Sequence, residues 1–480
     1  MPTFAEKAGD LAARAEKNSA WRQRDCFNLI PSESTPSLLV KMCEIADPAG
    51  RYAEHRSMKG EEVYFYQGTD FIRDVEVECQ KEMAAYFGCA DIELRPISGQ
   101  MANEVVFKGL VKFLNRGRAE GQLSRRIRLV FNNELIYGGH LSAQPMGALF
   151  NYVEEDPATG KERIVNLPVR KDNPYKPDVE RLAELLETHR PELVIFGKSM
   201  FLYREPVRIV ADIVRGWKDR PVLMFDMAHV LGLYGAFQAP FEEGADVVTG
   251  STHKTFFGTQ RGVVAGNIPK GSPLRPLWTE IKGRAFPGST SNHHLGTLLG
   301  LLMSAYEMNA FKEPFQNQVR ANARALAQAL HAHGIPVEGD PADGYTETHQ
   351  VIIRVKAFGP GMEIARRLET NNVLTNYQAL PDDATFLESS GIRLGVQEMT
   401  RFGMKEKDFD KLAGLMSDII VRDKPAGPEV SRYRKEFLTM GYTLPPAEAL
   451  PLAARVLAAS VPDPAYAAQF AANLHRAAGV

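Results

Sequence analysis

The chain has 480 residues, too many for one ordinary hydrophobic core, so two domains of unequal size are expected. Apolar residues at 44% and charged residues at 24% fit a soluble globular protein, and a net charge of -2 offers no basic face for nucleic acid or an anionic membrane. No run of about eighteen uncharged apolar residues could span a bilayer, and the charged stretch MPTFAEKAGDLAARAEK lacks the apolar centre of a secretory signal.

Cys26, Cys43, Cys79 and Cys89 have no C-x-x-C spacing, which reads as reduced cytoplasmic thiols rather than a zinc site or a disulfide frame. Further along, IRLVFNN (127–133), ELVIFGKS (192–199), VLMFD (222–226) and DVVTGS (246–251) are short, branched or aromatic runs that end in polar or small residues, as buried strands do. Helical spacing lies between them, in Val179, Leu182, Leu185 and Leu186, and again in Ile209, Val210, Ile213, Val214 and Trp217. Strand alternating with helix implies a mostly parallel α/β sheet covered on both faces, with ligands at the carboxyl ends of its strands. Near residue 310 a long helix pattern begins, and HQVIIRVK (349–356) follows as a strand. The expected division is an N-terminal segment (1–48), a large domain (49–305) and a smaller C-terminal α+β domain (306–480). The last of these carries a helical, alanine-rich tail from residue 449.

The strand ends hold the residues that could do chemistry. Asp226 closes VLMFD, and His229 follows three residues later. A buried carboxylate is costly unless a cation faces it. Asp226 is either a loop cap or the partner of a protonated heterocyclic nitrogen, such as that of pyridoxal 5'-phosphate (PLP). Lys254 ends the next strand, behind Ser-Thr-His, where desolvation would lower its pKa and suit it to condense with an aldehyde. A nucleotide P-loop is unlike this stretch, because His253 stands where that motif needs glycine. PISGQMANE (96–104) places Ser98, Gly99 and Gln100 at a helix N-terminus suited to phosphate. His140, after two glycines, is either a structural turn histidine or a ring-stacking one. Arg393, in SSGIRLGVQ, serves either an internal salt bridge or a substrate carboxylate. The adjacent His293 and His294 would point to opposite faces of a strand, no H-E-x-x-H occurs, and no metal site is expected.

Taken together, NLIPSES, RYAE (51–54), SGQ, GGHL, DMAHVLGL, STHKT and SGIRLG resemble, in order and spacing, the motifs of the serine hydroxymethyltransferase family. The likeness runs from about Asn28 to about Asp423. It implies PLP-dependent fold type I, a seven-stranded-type sheet as in aspartate aminotransferase, and tetrahydrofolate as co-substrate. It also implies a homodimer or homotetramer with shared sites. By that resemblance Lys254 is the Schiff-base lysine, Asp226 pairs with the pyridine nitrogen, His229 approaches the ring hydroxyl and His140 stacks on the ring. Ser98, Gly99 and Gln100 hold the phosphate, while Ser199, His253, Tyr52 and Asn292 border the cofactor. Arg393 binds the carboxylate of a small amino acid, with Ser32, Tyr66 and Asn103 nearby, and Glu54 handles protons at the hydroxymethyl group. Tyr52 and Tyr66 reach in from a second subunit.

Departures from the family surround the substrate. HRSMKGEEVY, between Glu54 and Phe65-Tyr66, is about four residues longer than the family's segment. Ala143 replaces a histidine, Gln100 a serine, Ser289–His293 a glycine-rich loop, and Gln378 an asparagine against folate. Three readings result: hydroxymethyl transfer from serine or a relative such as α-methylserine, folate-independent cleavage or transfer on β-hydroxy amino acids, or a silent homologue. Retention of Lys254, Asp226, His140 and Arg393 together speaks against the last.

Overall fold

The computed structural model describes the backbone of all residues except 60, 120, 121, 123, 479 and 480, and side chains as far as Leu474. Seven strands form the main sheet in the order 91–93, 262–266, 247–251, 222–226, 193–196, 130–132 and 164–166. Only Gly262–Gly266 runs against the rest. Alternation along each central strand explains the double-sided cover. Leu193, Ile195, Val222 and Met224 face one core, with Trp278 and Ile281 of the helix Arg275–Ala285. Val194, Phe196, Leu223 and Phe225 face the other, with Phe256 and Leu298. Strands buried on both faces read as unbroken apolar runs, which is why four of them were legible. Asp91–Glu93, Ile164–Asn166 and Gly262–Gly266 were not anticipated. Two of them are three residues long, and the third is glycine-flanked.

The smaller unit is built on a three-stranded antiparallel sheet in the order 350–354, 391–395, 376–378. Two boundaries differ from expectation. The helix Leu295–Ala332 is continuous across residue 305, so the chain passes between the units inside a helix rather than through a linker. Nor is 1–48 one free arm. Phe4–Ala20 is a capped helix with no buried residue, but Phe27–Asn28 pairs in parallel with Val373–Leu374, and Leu29 accepts a hydrogen bond from the Gly395 amide. Apolar Phe27 and Leu29 thereby join the small unit's core.

HRSMKGEEVY forms a β-hairpin, His55–Met58 against Glu61–Tyr64, with Gly60 outside the described residues. The tail folds into Pro446–Ala459 and Pro464–Ala478, and its last two residues also lie outside the described ones. Among the described residues no helix is long and apolar enough to cross a membrane.

Candidate active site

Asp226 ends a strand in which every residue is buried, so its carboxylate is delivered to the sheet edge by the core itself. Three groups hold it. Asn103 Nδ2 donates to Oδ2 at 2.8 Å, His140 Nδ1 meets the same oxygen at 2.5 Å, and the Ala228 amide donates to Oδ1 at 3.0 Å. Behind Asn103, the Thr249 hydroxyl donates to its Oδ1 at 2.6 Å, which fixes the amide with nitrogen toward Asp226. Burial works to raise the Asp226 pKa, but His140, Asn103 and Ala228 outweigh it and hold the carboxyl below its ordinary range.

Lys254 lies in the turn after Val247–Ser251, one strand over. That turn is tied to the Asp226 loop: the Thr255 hydroxyl donates to the His229 carbonyl at 3.0 Å and accepts the Gly232 amide at 3.0 Å. Gly232 permits this approach, since a Cβ there would sit 2.1 Å from the Thr255 carbonyl oxygen. Lys254 Nζ is 3.3 Å from His229 Nε2. Burial pushes its amine down to about 8, against the raising pull of Asp226 and with help from Arg393. Burial, with the nearby Lys254 and Arg393 charges, also keeps His229 neutral. His253 is pushed down to about 4 by burial and then by Lys254.

Ser98 caps the helix Gly99–Leu114, its hydroxyl accepting the Met101 amide at 3.1 Å. The Gly99 and Gln100 amides, at the first two helical positions, have no intrahelical acceptor and point outward with the positive end of the helix dipole. Gly99 packs closely on Ser251, whose Oγ would have to move for a Cβ to fit there.

Arg393, on Gly391–Gly395, donates to the Ser199 carbonyl at 2.6 Å. Among the described residues no carboxylate lies within ion-pair distance of it, which removes the salt-bridge alternative. Burial pushes its guanidinium down to about 10. A buried, unpaired guanidinium invites an anion.

The structure therefore brings Lys254, His229, Asp226 and His140 together at the strand ends, with Arg393 bonded to Ser199 and near enough to act on Lys254 and His229. It places others differently. The amide of Asn103 is fully committed, to Asp226, to Ser142 Oγ at 2.6 Å and to Thr249, so it braces the carboxylate rather than facing a substrate. His140 engages Asp226 edge-on, and its ring stands at 88° to that of His229. Tyr52 and Tyr66 are 51% and 42% exposed, with ring centroids 5.2 Å apart and Glu54 between them in sequence. Asn292 donates to the Arg51 carbonyl at 2.7 Å on the same side. Ser32 and His253 line a neighbouring recess of about 710 Å³ with Asn28, Gln260 and Glu398.

Sequence reasoning missed Thr249 and Ser142, which brace Asn103, and His349, which contacts the Pro31 carbonyl at 3.1 Å through Nε2 beside Ser32. Burial pushes His349 down to about 3. A hydroxyl in a buried strand was the available signal for Thr249. The others depend on contacts between distant segments.

These residues fit PLP. A depressed amine, a braced carboxylate, free amides at a helix N-terminus and the orphaned Nδ1 atoms of buried His229 and His253 all border one edge of the sheet. A mostly parallel seven-stranded sheet carrying this set defines the class, a fold-type-I scaffold. Residues 7–416 match the profile of the family described as serine hydroxymethyltransferase. A serine hydroxymethyltransferase of Pyrobaculum arsenaticum is 36% identical over 426 residues, covering 88% of this chain and 91% of its own. One from Aeropyrum pernix is 34% identical over 441 residues, covering 90% and 92%. Among solved structures, L-threonine transaldolase from Pseudomonas fluorescens superposes with a TM-score of 0.77 at 25% identity, over 94% of this chain and 97% of that one. The chain belongs to the serine hydroxymethyltransferase family.

Proposed function

We propose that this protein is a PLP-dependent transferase that moves the hydroxymethyl carbon between serine, or a relative such as α-methylserine, and tetrahydrofolate. The observation that carries the reading is the pairing of a depressed Lys254 amine with a braced Asp226 carboxylate at neighbouring strand ends, beside an unpaired Arg393. When bound, PLP supplies an electron sink for charge developing at the substrate α-carbon. Asp226 holds a proton on the ring nitrogen, and its low pKa keeps it charged for that task. Lys254 offers a neutral amine near pH 8 and a base once displaced. Ser98, Gly99 and Gln100 bind the phosphate. Arg393 would grip the amino-acid carboxylate and so orient the substrate's α-carbon. Glu54 moves the hydroxyl proton.

Tyr52 and Tyr66 stand exposed and Glu54 partly so on a single chain, which supports a homodimer or homotetramer in which they complete the neighbour's site. Four free thiols favour a reducing, cytoplasmic setting. We retain the functional division into a cofactor-binding unit (49–305) and a carboxylate-binding unit (306–480), joined within the long helix.

A second reading has its own support. The likeness to a threonine transaldolase, and a hairpin between Glu54 and Tyr66 longer than the family's, favour a β-hydroxy-amino-acid aldolase or transaldolase that needs no folate. Titrating the PLP-loaded protein spectrally with glycine, serine, alanine and α-methylserine, each with and without tetrahydrofolate, separates the two. A folate-dependent response with one hydroxymethyl donor supports the first. Folate-independent cleavage of threonine, with no folate effect on serine, supports the second. No response to any amino acid overturns both.

A further inference from the structure

The hairpin His55–Tyr64 is exposed almost throughout, yet its first residue is 6% exposed. The His55 ring stacks on its cross-strand neighbour Tyr64, with centroids 4.5 Å apart at 22°. His55 Nδ1 lies 3.2 Å from the Ala53 carbonyl, a contact that requires the proton on Nδ1. Nε2 then faces Glu76 at 3.6 Å and Glu62 at 3.8 Å. Glu76 belongs to the helix Asp70–Phe87 and is itself 3% exposed. Burial works to raise the Glu76 carboxyl, against the pull of the nearby His55 and Arg95. Tyr64 reaches the same Glu76 oxygen at 3.4 Å, and His293, from the loop ahead of the long helix, closes over the far edge of the His55 ring at 6.3 Å. The Phe65 amide donates to the Glu54 carbonyl at 3.0 Å, closing the base.

Glu54 is the residue before His55, and Tyr66 stands two after Tyr64. Both hang from this rung. We propose that the His55–Glu76 pair, with Tyr64 stacked on it, is a clamp that positions Glu54 and Tyr66 for proton transfer at the substrate hydroxyl. The inference rests on the proton-handling role given to Glu54 above. His55 and Glu76 are positioning residues, since neither touches the cleft formed by Lys254 and Arg393.

The test compares PLP-loaded wild type with His55→Ala, Glu76→Ala and Glu76→Gln, using whichever of serine or threonine the wild type cleaves. Both alanine variants should lose at least about tenfold in kcat, because a small misplacement of a proton-handling group is costly. PLP content, and glycine affinity by spectral titration, should stay within about twofold, because Lys254 and Arg393 are untouched. Glu76→Gln, whose amide can donate to Nε2, should keep more than half of kcat. In a Glu54→Gln background, His55→Ala should cost less than about a further twofold, because both act through one group. Unchanged kcat in the alanine variants overturns the clamp. So does equal loss in Glu76→Gln and Glu76→Ala, full additivity with Glu54→Gln, or a parallel loss of PLP and glycine binding. Should His55→Ala fail to fold, the two Glu76 variants decide the matter alone. A wild type without PLP-dependent turnover condemns the functional reading, whereas an active wild type with unmoved variants condemns only the clamp.

Discussion

The wall of the cleft and the exposed hairpin are built on opposite plans. Around Asp226, the donor Asn103 is itself held by buried Thr249, so the bracing runs from Thr249 through Asn103 to the carboxylate. The hairpin has one buried rung, and the groups it carries stand in the open on a single chain. On the proposed function, the sheet edge and Arg393 serve cofactor and carboxylate binding, whereas handling of the substrate side chain falls to the groups the hairpin carries. Residues of the first kind should govern whether any chemistry occurs, and those of the second which bond and which aldehyde.

The sharpest break would come at Lys254. Lys254→Ala should eliminate measurable turnover with every amino acid tried, and a variant that keeps full activity would end the assignment. Asp226→Asn should follow, with kcat lowered on the order of 10² to 10³-fold, since a fixed charge opposite the developing one is lost. Its measure is steady-state turnover of the PLP-loaded variant. Arg393→Ala should act chiefly on binding, raising KM for the amino acid at least about 30-fold, roughly 2 kcal/mol. Arg393→Lys should rescue little of that, because a point charge cannot replace a fork.

Thr249→Val tests the bracing itself. It leaves the Asn103 carbonyl without its donor and should cost about 1–3 kcal/mol in denaturant unfolding and weaken PLP retention, while Thr249→Ser should be nearly silent. A smaller effect concerns pH. The folded Lys254 amine titrates near 8 instead of 10.5, so the unfolded chain binds more protons between those values. Stability of the cofactor-free protein should rise with pH across that window, and Lys254→Met should flatten the rise. PLP capture should likewise accelerate up to about pH 8 and then level, which stopped-flow absorbance can follow. Smallest of all, Met58→Ser near the hairpin tip should alter stability by no more than about 0.5 kcal/mol while still changing aldehyde preference.

The same contrast explains what was readable beforehand. Val222–Asp226 and Val247–Ser251 announce themselves, because a strand buried on both faces must be apolar and its first polar residue must be special. Asp226 was singled out that way, and Lys254 and Arg393 by their setting beside or within a strand and by motif order. Asn103 was placed near the substrate by the resemblance alone. Only its contacts with Thr249 and Asp226, 146 and 123 residues away, show where its amide is spent. The hairpin could be seen as extra length but not as structure. Its strands are short and polar, and the clamp residue His55 differs from any solvent histidine only through Glu76, on another element.

The hairpin bears on the body through its first rung and the Glu62–Lys282 ion pair, and its other exposed positions stand clear of the core's packing. Insertions, deletions and side-chain changes there leave the sheet and its lysine undisturbed. A lineage can thus trade one acceptor or aldehyde for another by editing a few exposed positions, while the catalytic floor is inherited whole.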